Sequence, residues 1–204
     1  MCHFTGQVKW HKERRIKSTF GVISAKIDLP KFEYSFAGKH FLVDRPFVWL
    51  SMKTGYQDQD AVRHLLESCQ KQRYAYVAGA NISDFLQDAK DESGNVIPNA
   101  PKQRRFTIEV NARDVTFSDK PYPTVNTCII NGKVEEVNGN WLLVKTWYKV
   151  KTETKYRHME VISDSTIVTP ALKGSNISVI GQVCNKDPNG NERVYIAAET
   201  LLPL

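Results

Sequence analysis

Strand-type runs cut by turn clusters fill almost the whole chain, and they come in two sets of five. In the first set, Phe4 to Trp10 and Thr19 to Ile27 are rich in Val, Ile and aromatic residues. Lys39 to Met52 reads as one long strand or as two short ones around Pro46. Arg73 to Ile82 and Arg105 to Phe117 complete the set. One helix interrupts it at about residues 58–71. Asp58-Gln59-Asp60 can cap it, and Ala61, Val62, Leu65, Leu66 and Cys69 recur at helical spacing. Between the last two strands, Asp88 to Gln103 reads as a long polar loop holding Glu92-Ser93-Gly94-Asn95, Pro98 and Pro101.

Ser118-Asp119-Lys120-Pro121-Tyr122-Pro123 is the best linker candidate, because two prolines in three residues interrupt any strand. The pattern then restarts. Cys128 to Val137 and Trp141 to Val150 flank an Asn-Gly turn and read as a hairpin. Lys155 to Ile162, Asn176 to Cys184 and Arg193 to Leu202 follow as three more strands. Asp164 to Lys173 stands where the first half has its helix and is too short for more than a turn. The halves also share a strand, V-x-G, strand, Gly-Asn loop, strand order. Val77-Ala78-Gly79 leads to Arg105-Phe106-Thr107-Ile108-Glu109-Val110, and Val179-Ile180-Gly181 leads to Arg193-Val194-Tyr195-Ile196-Ala197-Ala198. Two readings fit: two copies of one five-stranded unit, or one intertwined β domain. The first is simpler. Five strands with a helix between the third and fourth is the plan of an OB barrel. The expected fold is therefore all-β: two tandem five-stranded OB barrels at residues 1–120 and 121–204, the first with the added helix. Closure would bury Phe106, Ile108 and Val110 in one and Val194, Ile196 and Ala198 in the other.

Several classes drop out. No apolar run approaches the roughly 18 residues of a membrane span, and Met1 to Gly6 lacks the plan of a secretory signal. Cys2, Cys69, Cys128 and Cys184 are scattered, so neither a disulfide framework nor a zinc site is expected, and a reducing, cytoplasmic setting fits. No catalytic signature is present: no phosphate-binding Gly-rich loop, G-x-S-x-G elbow or H-E-x-x-H. The five histidines are not spaced as metal ligands. Cys69 falls on the apolar stripe of the helix and reads as core, whereas Cys184 ends a strand and reads as half exposed. No enzyme activity, cofactor, metal or small-molecule substrate is expected.

The net charge of +6 is unevenly placed. Residues 1–53 hold ten Lys/Arg against four Asp/Glu, while residues 54–124 hold nine against ten and residues 125–204 nine against eight. The densest part is Lys9, Lys12, Arg14, Arg15 and Lys17, with Trp10 and Phe20 beside it. It reads either as a solvated basic loop or as a loop that contacts phosphates, with aromatics that stack on bases. Strand alternation adds candidates. In Trp141 to Lys151, Leu142, Val144, Thr146, Tyr148 and Val150 form a core face. Trp141, Trp147, Lys145 and Lys149 share the other, as a stacking platform or as a contact between barrels or subunits. Val48, Leu50 and Met52 likewise leave Trp49 and Lys53 on the opposite face. Arg104 and Arg105, with Lys102, stand at the exit of the long loop.

From Ala61 through Phe117 the sequence resembles the C-terminal part of a bacterial-type single-stranded DNA-binding domain. The likeness is carried by Gln72-Arg73, Val77-Ala78-Gly79, Asp91-Glu92-Ser93-Gly94-Asn95, and Arg105 with Thr107, Glu109 and Val110. Residues 174–204 are similar to a degenerate copy of the same part. Gly6-Gln7-Val8-Lys9-Trp10 followed by Phe20-Gly21-Val22-Ile23 is similar to the first two strands of cold-shock domains. The resemblance implies an OB-fold protein that binds single-stranded DNA without catalysis and with little sequence preference. It also implies roles in replication, recombination or repair. Two units per chain resembles the tandem type, which implies a homodimer. The chain ends Glu199-Thr200-Leu201-Leu202-Pro203-Leu204 at a strand, without the family's acidic tail, which fits a phage or mobile-element protein better than a replication hub. Single-stranded RNA binding and a protein-assembly module stand as the alternatives.

Overall fold

The computed structural model describes residues 1–17, 20–36, 38–43, 46–54, 59–91, 93–150, 152–164, 168–186 and 192–204. In chain order it forms β1 (Cys2–Lys17), β2 (Phe20–Asp28), β3 (Phe32–Phe36), β4 (Lys39–Val43), β5 (Phe47–Lys53), α1 (Gln59–Gln70), β6 (Tyr74–Gln87), β7 (Gln103–Asn111) and β8 (Val115–Ser118). There follow β9 (Asn126–Asn138), β10 (Trp141–Val150), β11 (Glu153–Ile162), β12 (Asn176–Lys186) and β13 (Glu192–Pro203). Pro46 does divide the expected long strand, leaving β4 and β5 on either side. The β3 strand has no counterpart among the expected ones.

Pairing closes on itself twice. β1 pairs with β2, β2 with β5, β5 in parallel with β7, β7 with β6, and β6 again with β1. β9 pairs with β10, β10 with β11, β11 in parallel with β13, β13 with β12, and β12 again with β9. This is the expected all-β OB architecture, with α1 between the third and fourth strands of the first ring. Alternation puts Val48, Leu50, Met52, Ile108 and Val110 inside the first ring. Leu142, Val144, Val161, Val179 and Ile196 lie inside the second. Phe106, Val194 and Ala198 pack against this core from partly buried positions. Val62, Leu65 and Cys69 turn the apolar stripe of α1 inward. Burial pushes the Cys69 thiol up to about 12, so it stays protonated and packs as a small apolar group.

Three expectations are corrected. Cys2 and Cys128 form a disulfide. Antiparallel pairing of β1 with β9 sets them directly opposite each other, with Cα atoms 4.0 Å apart across 126 residues of chain. The disulfide removes the ground on which a reducing compartment was expected. The basic stretch after Trp10 is a strand and not a loop, because β1 stays paired with β2 as far as Lys17↔Phe20. Cys184 is fully buried and not half exposed. The β3–β4 hairpin of the first half lies over it, and Phe32 and Tyr34 pack on Val43, Ile162, Cys184, Tyr195 and Ala197. That cover explains why Tyr195, Ile196 and Ala197 are all buried although they face alternate sides of β13. The buried Tyr195 hydroxyl donates to the Tyr34 hydroxyl at 3.0 Å, and burial raises its pKa.

The repeat has a packing cause at Gly6 and Gly132, which hold matching places in the first strand of each ring. A Cβ on Gly6 would lie 2.2 Å from the Asp28 carbonyl oxygen, and one on Gly132 2.5 Å from that of Lys145. Both obstacles are backbone of the second strand, so the strands approach this closely only at glycine. We expect Gly132→Ala to cost about 1–3 kcal/mol through overpacking, read as a lower unfolding midpoint in thermal denaturation.

Candidate nucleic-acid interface

Register lines up the first set of candidates. Trp10 on β1 opposes Lys26 on β2, and Lys26 opposes Trp49 on β5, so indole, ammonium and indole share one row. Trp10 and Trp49 meet edge to face at 5.3 Å and are 46% and 40% exposed. Phe47 extends the row, 6.3 Å from Trp49, with the Lys26 Nζ 4.0 Å above its ring. Lys9 and Lys12 are exposed on the same strand as Trp10. The side chains of Arg14, Arg15, Lys17 and Phe20 lie outside the described residues, as does that of Lys149.

The second ring repeats the device. Trp147 on β10 opposes Tyr156 on β11, and both are just over half exposed, at 55% and 56%. Two large aromatic rings side by side in solvent are unusual for a purely structural sheet face. Lys145 holds its Nζ 4.5 Å above the Tyr156 ring. With Lys133 and Lys173 these residues line an open depression of about 580 Å³. Trp141 behaves differently. It is half-buried, meets Tyr195 edge to face at 5.3 Å, and carries the Arg193 guanidinium 4.2 Å above its ring.

Several expected phosphate contacts already face carboxylates. Lys53 lies 2.8 Å from Glu109, Arg104 2.9 Å from Asp84 and Lys145 3.0 Å from Glu135. These partly exposed pairs contribute roughly 0–1 kcal/mol each, so a polyanion can compete for them. Asp84 and Glu135 belong to a network that joins the rings. The His158 ring lies between them, with Nδ1 3.1 Å from Asp84 and Nε2 3.0 Å from Glu135. The His158 backbone N–H also donates to Asp84 at 3.0 Å. The Lys145 hydrogen bond holds the Glu135 carboxyl below its ordinary value. Desolvation pushes it the other way, and His158 adds to the lowering. Arg105 is exposed, and its guanidinium donates to the Gln103 side chain at 2.9 Å.

Alternation already put Phe47 on the face of Trp49. Sequence reasoning missed Lys26, Tyr156, Asn185 and Arg193, with alternation along β2 and β11 the available signal for the first two. Asn185 and Arg193 come to the site only through the meeting of the two rings. Among the described residues no group of three or more His, Cys, Asp or Glu is placed to hold a metal ion, and no helix is long and apolar enough to cross a membrane.

The fold has a solved counterpart. The chain shares the fold of the single-stranded DNA-binding protein from Thermus aquaticus. For a deletion mutant of that protein the TM-score is 0.57 at 14% identity, covering 100% of this chain and 93% of that one. For the wild-type form it is 0.56 at 13% identity, covering 100% and 91%. No protein-family model and no curated protein sequence matches the chain. The likeness therefore lies in the path of the backbone.

The network has a pH signature. A carboxyl held below its ordinary value stabilises the fold fully above that value, and the gain is lost as pH falls through the lowered one. Glu135→Gln should therefore flatten the loss of stability below pH 4.5. Thermal melts across an acid series would check this, with equal acid sensitivity in both proteins as the contrary result.

Proposed function

We propose that the protein binds and coats single-stranded DNA without catalysis and with little sequence preference. The observation that carries this reading is the pair of exposed aromatic rows, Trp10–Lys26–Trp49 and Trp147–Tyr156, each with an ammonium at its rings. Every base has a face that can stack on such rings, at roughly 1–3 kcal/mol per base. The interleaved lysines, with Lys9, Lys12 and Arg105, would meet phosphates and release counterions. The fold shared with the Thermus aquaticus single-stranded DNA-binding protein supports the same reading.

The two strand rings support a division into OB barrels at residues 1–120 and 121–204, each presenting one row. A homodimer and work in replication, recombination or repair belong to the same proposal. Trp141 serves the fold more than the strand, given its packing on Tyr195 and Arg193.

Titration with oligo(dT) should quench tryptophan fluorescence, and the affinity should fall as salt rises. Absence of quenching, or affinity insensitive to salt, would overturn the proposal. Parallel titrations with duplex DNA and matched RNA should give weaker binding. Trp147→Ala should weaken oligo(dT) binding by about 1–3 kcal/mol while leaving the melting midpoint nearly unchanged, because the ring is exposed.

A further inference from the structure

Both nitrogens of the His158 imidazole face carboxylates. Nδ1 lies 3.1 Å from Asp84, on β6 of the first ring of strands, and Nε2 lies 3.0 Å from Glu135, on β9 of the second. An ionised carboxylate can only accept a hydrogen bond. A neutral imidazole donates from one nitrogen and would turn the lone pair of the other onto a carboxylate. The two contacts are satisfied together only when the imidazole is protonated and donates twice.

The other charges around it come from four strands. Asp84 also accepts from Arg104 of β7 at 2.9 Å. Lys145 of β10 stands directly opposite His158 across the β10–β11 pair. On β11 itself Glu160 lies two residues away on the same face, held by Arg193 of β13. Glu135 has two cationic partners among the described residues, His158 and Lys145, the latter at 3.0 Å. Lys145 also holds its Nζ 4.5 Å above the Tyr156 ring, beside Trp147. Glu135, Lys145, Trp147 and Tyr156 all line the same open depression. Lys145 therefore belongs both to the exposed aromatic row and to the carboxylate that His158 uses.

A phosphate that draws Lys145 away has three consequences. Glu135 is left with His158 as its cationic partner. The like charge opposite the imidazole is neutralised. A new negative charge arrives nearby. An opposite charge favours the charged form of a group and a like charge disfavours it, so all three favour the protonated imidazole.

Resting on the reading of the protein as a single-strand binder, we propose that strand binding at the Trp147–Tyr156 row is coupled to protonation of His158. Up to one proton passes from solvent to the imidazole as the strand takes Lys145. Such coupling is reciprocal, so the protonated imidazole in turn strengthens binding. Affinity then rises on acidification through the range in which histidines change charge. The Glu135 carboxyl, held below 4.5 chiefly by the Lys145 hydrogen bond, stays ionised across that range and keeps its place as the acceptor.

The test uses the full chain and oligo(dT) without a terminal phosphate, whose thymines and phosphodiesters keep their charge near neutrality. From about pH 8 to about pH 6, at fixed salt, affinity should rise about fivefold. Calorimetric titrations near pH 7 in buffers of different ionisation enthalpy should show proton uptake. His158→Gln cannot take the proton and should lose most of the uptake and of the pH dependence. Lys145→Gln should lose most of the uptake too, because Glu135 then belongs to His158 before the strand arrives. Should His158→Gln fail to fold, the wild-type imidazole signals of His158 in an NMR spectrum replace it. On saturation with oligo(dT) they should move toward those of the protonated form. Wild-type protein that binds no oligo(dT) at any pH would overturn the functional reading itself. Wild-type binding with no proton uptake, with uptake undiminished in either variant, or with the imidazole signals unmoved, would overturn the coupling alone.

Discussion

The seam between β1 and β9 is the constraint on which the rest of the molecule depends. Three consecutive residue pairs, Cys2↔Cys128, His3↔Thr127 and Phe4↔Asn126, carry the hydrogen-bonded sheet from one strand ring into the other. The Cys2–Cys128 disulfide lies within that ladder. Beside it, the Thr5 backbone N–H donates to the Val125 carbonyl at 2.8 Å, and the Val125 N–H donates to the Thr5 hydroxyl at 3.0 Å. The Asn126 side chain both donates to and accepts from the backbone of Val183, at 3.0 Å each. Phe4 is fully buried at the same place. Polar groups that would otherwise be orphaned where two sheets meet are thus paired, which is what makes a seam of this kind tolerable.

Because the seam sets one ring against the other, more distant contacts become possible. Asp84 of β6 reaches His158 of β11, and the Asn185 amide reaches the backbone of Phe47. The β3–β4 hairpin, an insertion in the first ring, covers the outer face of β13 and contributes Tyr34 to a small apolar cluster there. Of these links, the Asn185–Phe47 bond lies at the cleft of about 440 Å³ between the rings, which both residues line.

Much of this was legible residue by residue. Alternation in Phe47 to Lys53 separates Val48, Leu50 and Met52 from Trp49, and the structure buries the former and exposes the latter. The stripe of Val62, Leu65 and Cys69 places α1 within a residue or so of its expected bounds. Period-2 and period-3.6 patterns report a local matter, namely which face of an element meets the core. The same rule misjudges Tyr195 and Cys184. Their burial comes from a hairpin some 150 residues earlier in the chain, and no local period records it. The charge candidates divide in a similar way. Lys and Arg are plain in the sequence, but the carboxylates opposite Lys53, Arg104 and Lys145 are supplied by other strands.

By itself, the sequence determined the strand content, the single helix, the doubled pattern and the faces on which Trp49 and Trp147 stand. Each of these follows from side-chain spacing along one stretch of backbone. Only the tertiary structure decided that Cys2 meets Cys128, that Trp141 packs on Tyr195 and Arg193, and that Asn185 closes a cleft with Phe47. Those outcomes depend on strand register and on how one ring docks on the other. Register and docking are set by the summed fit of many distant residues, and no single segment of chain carries that information.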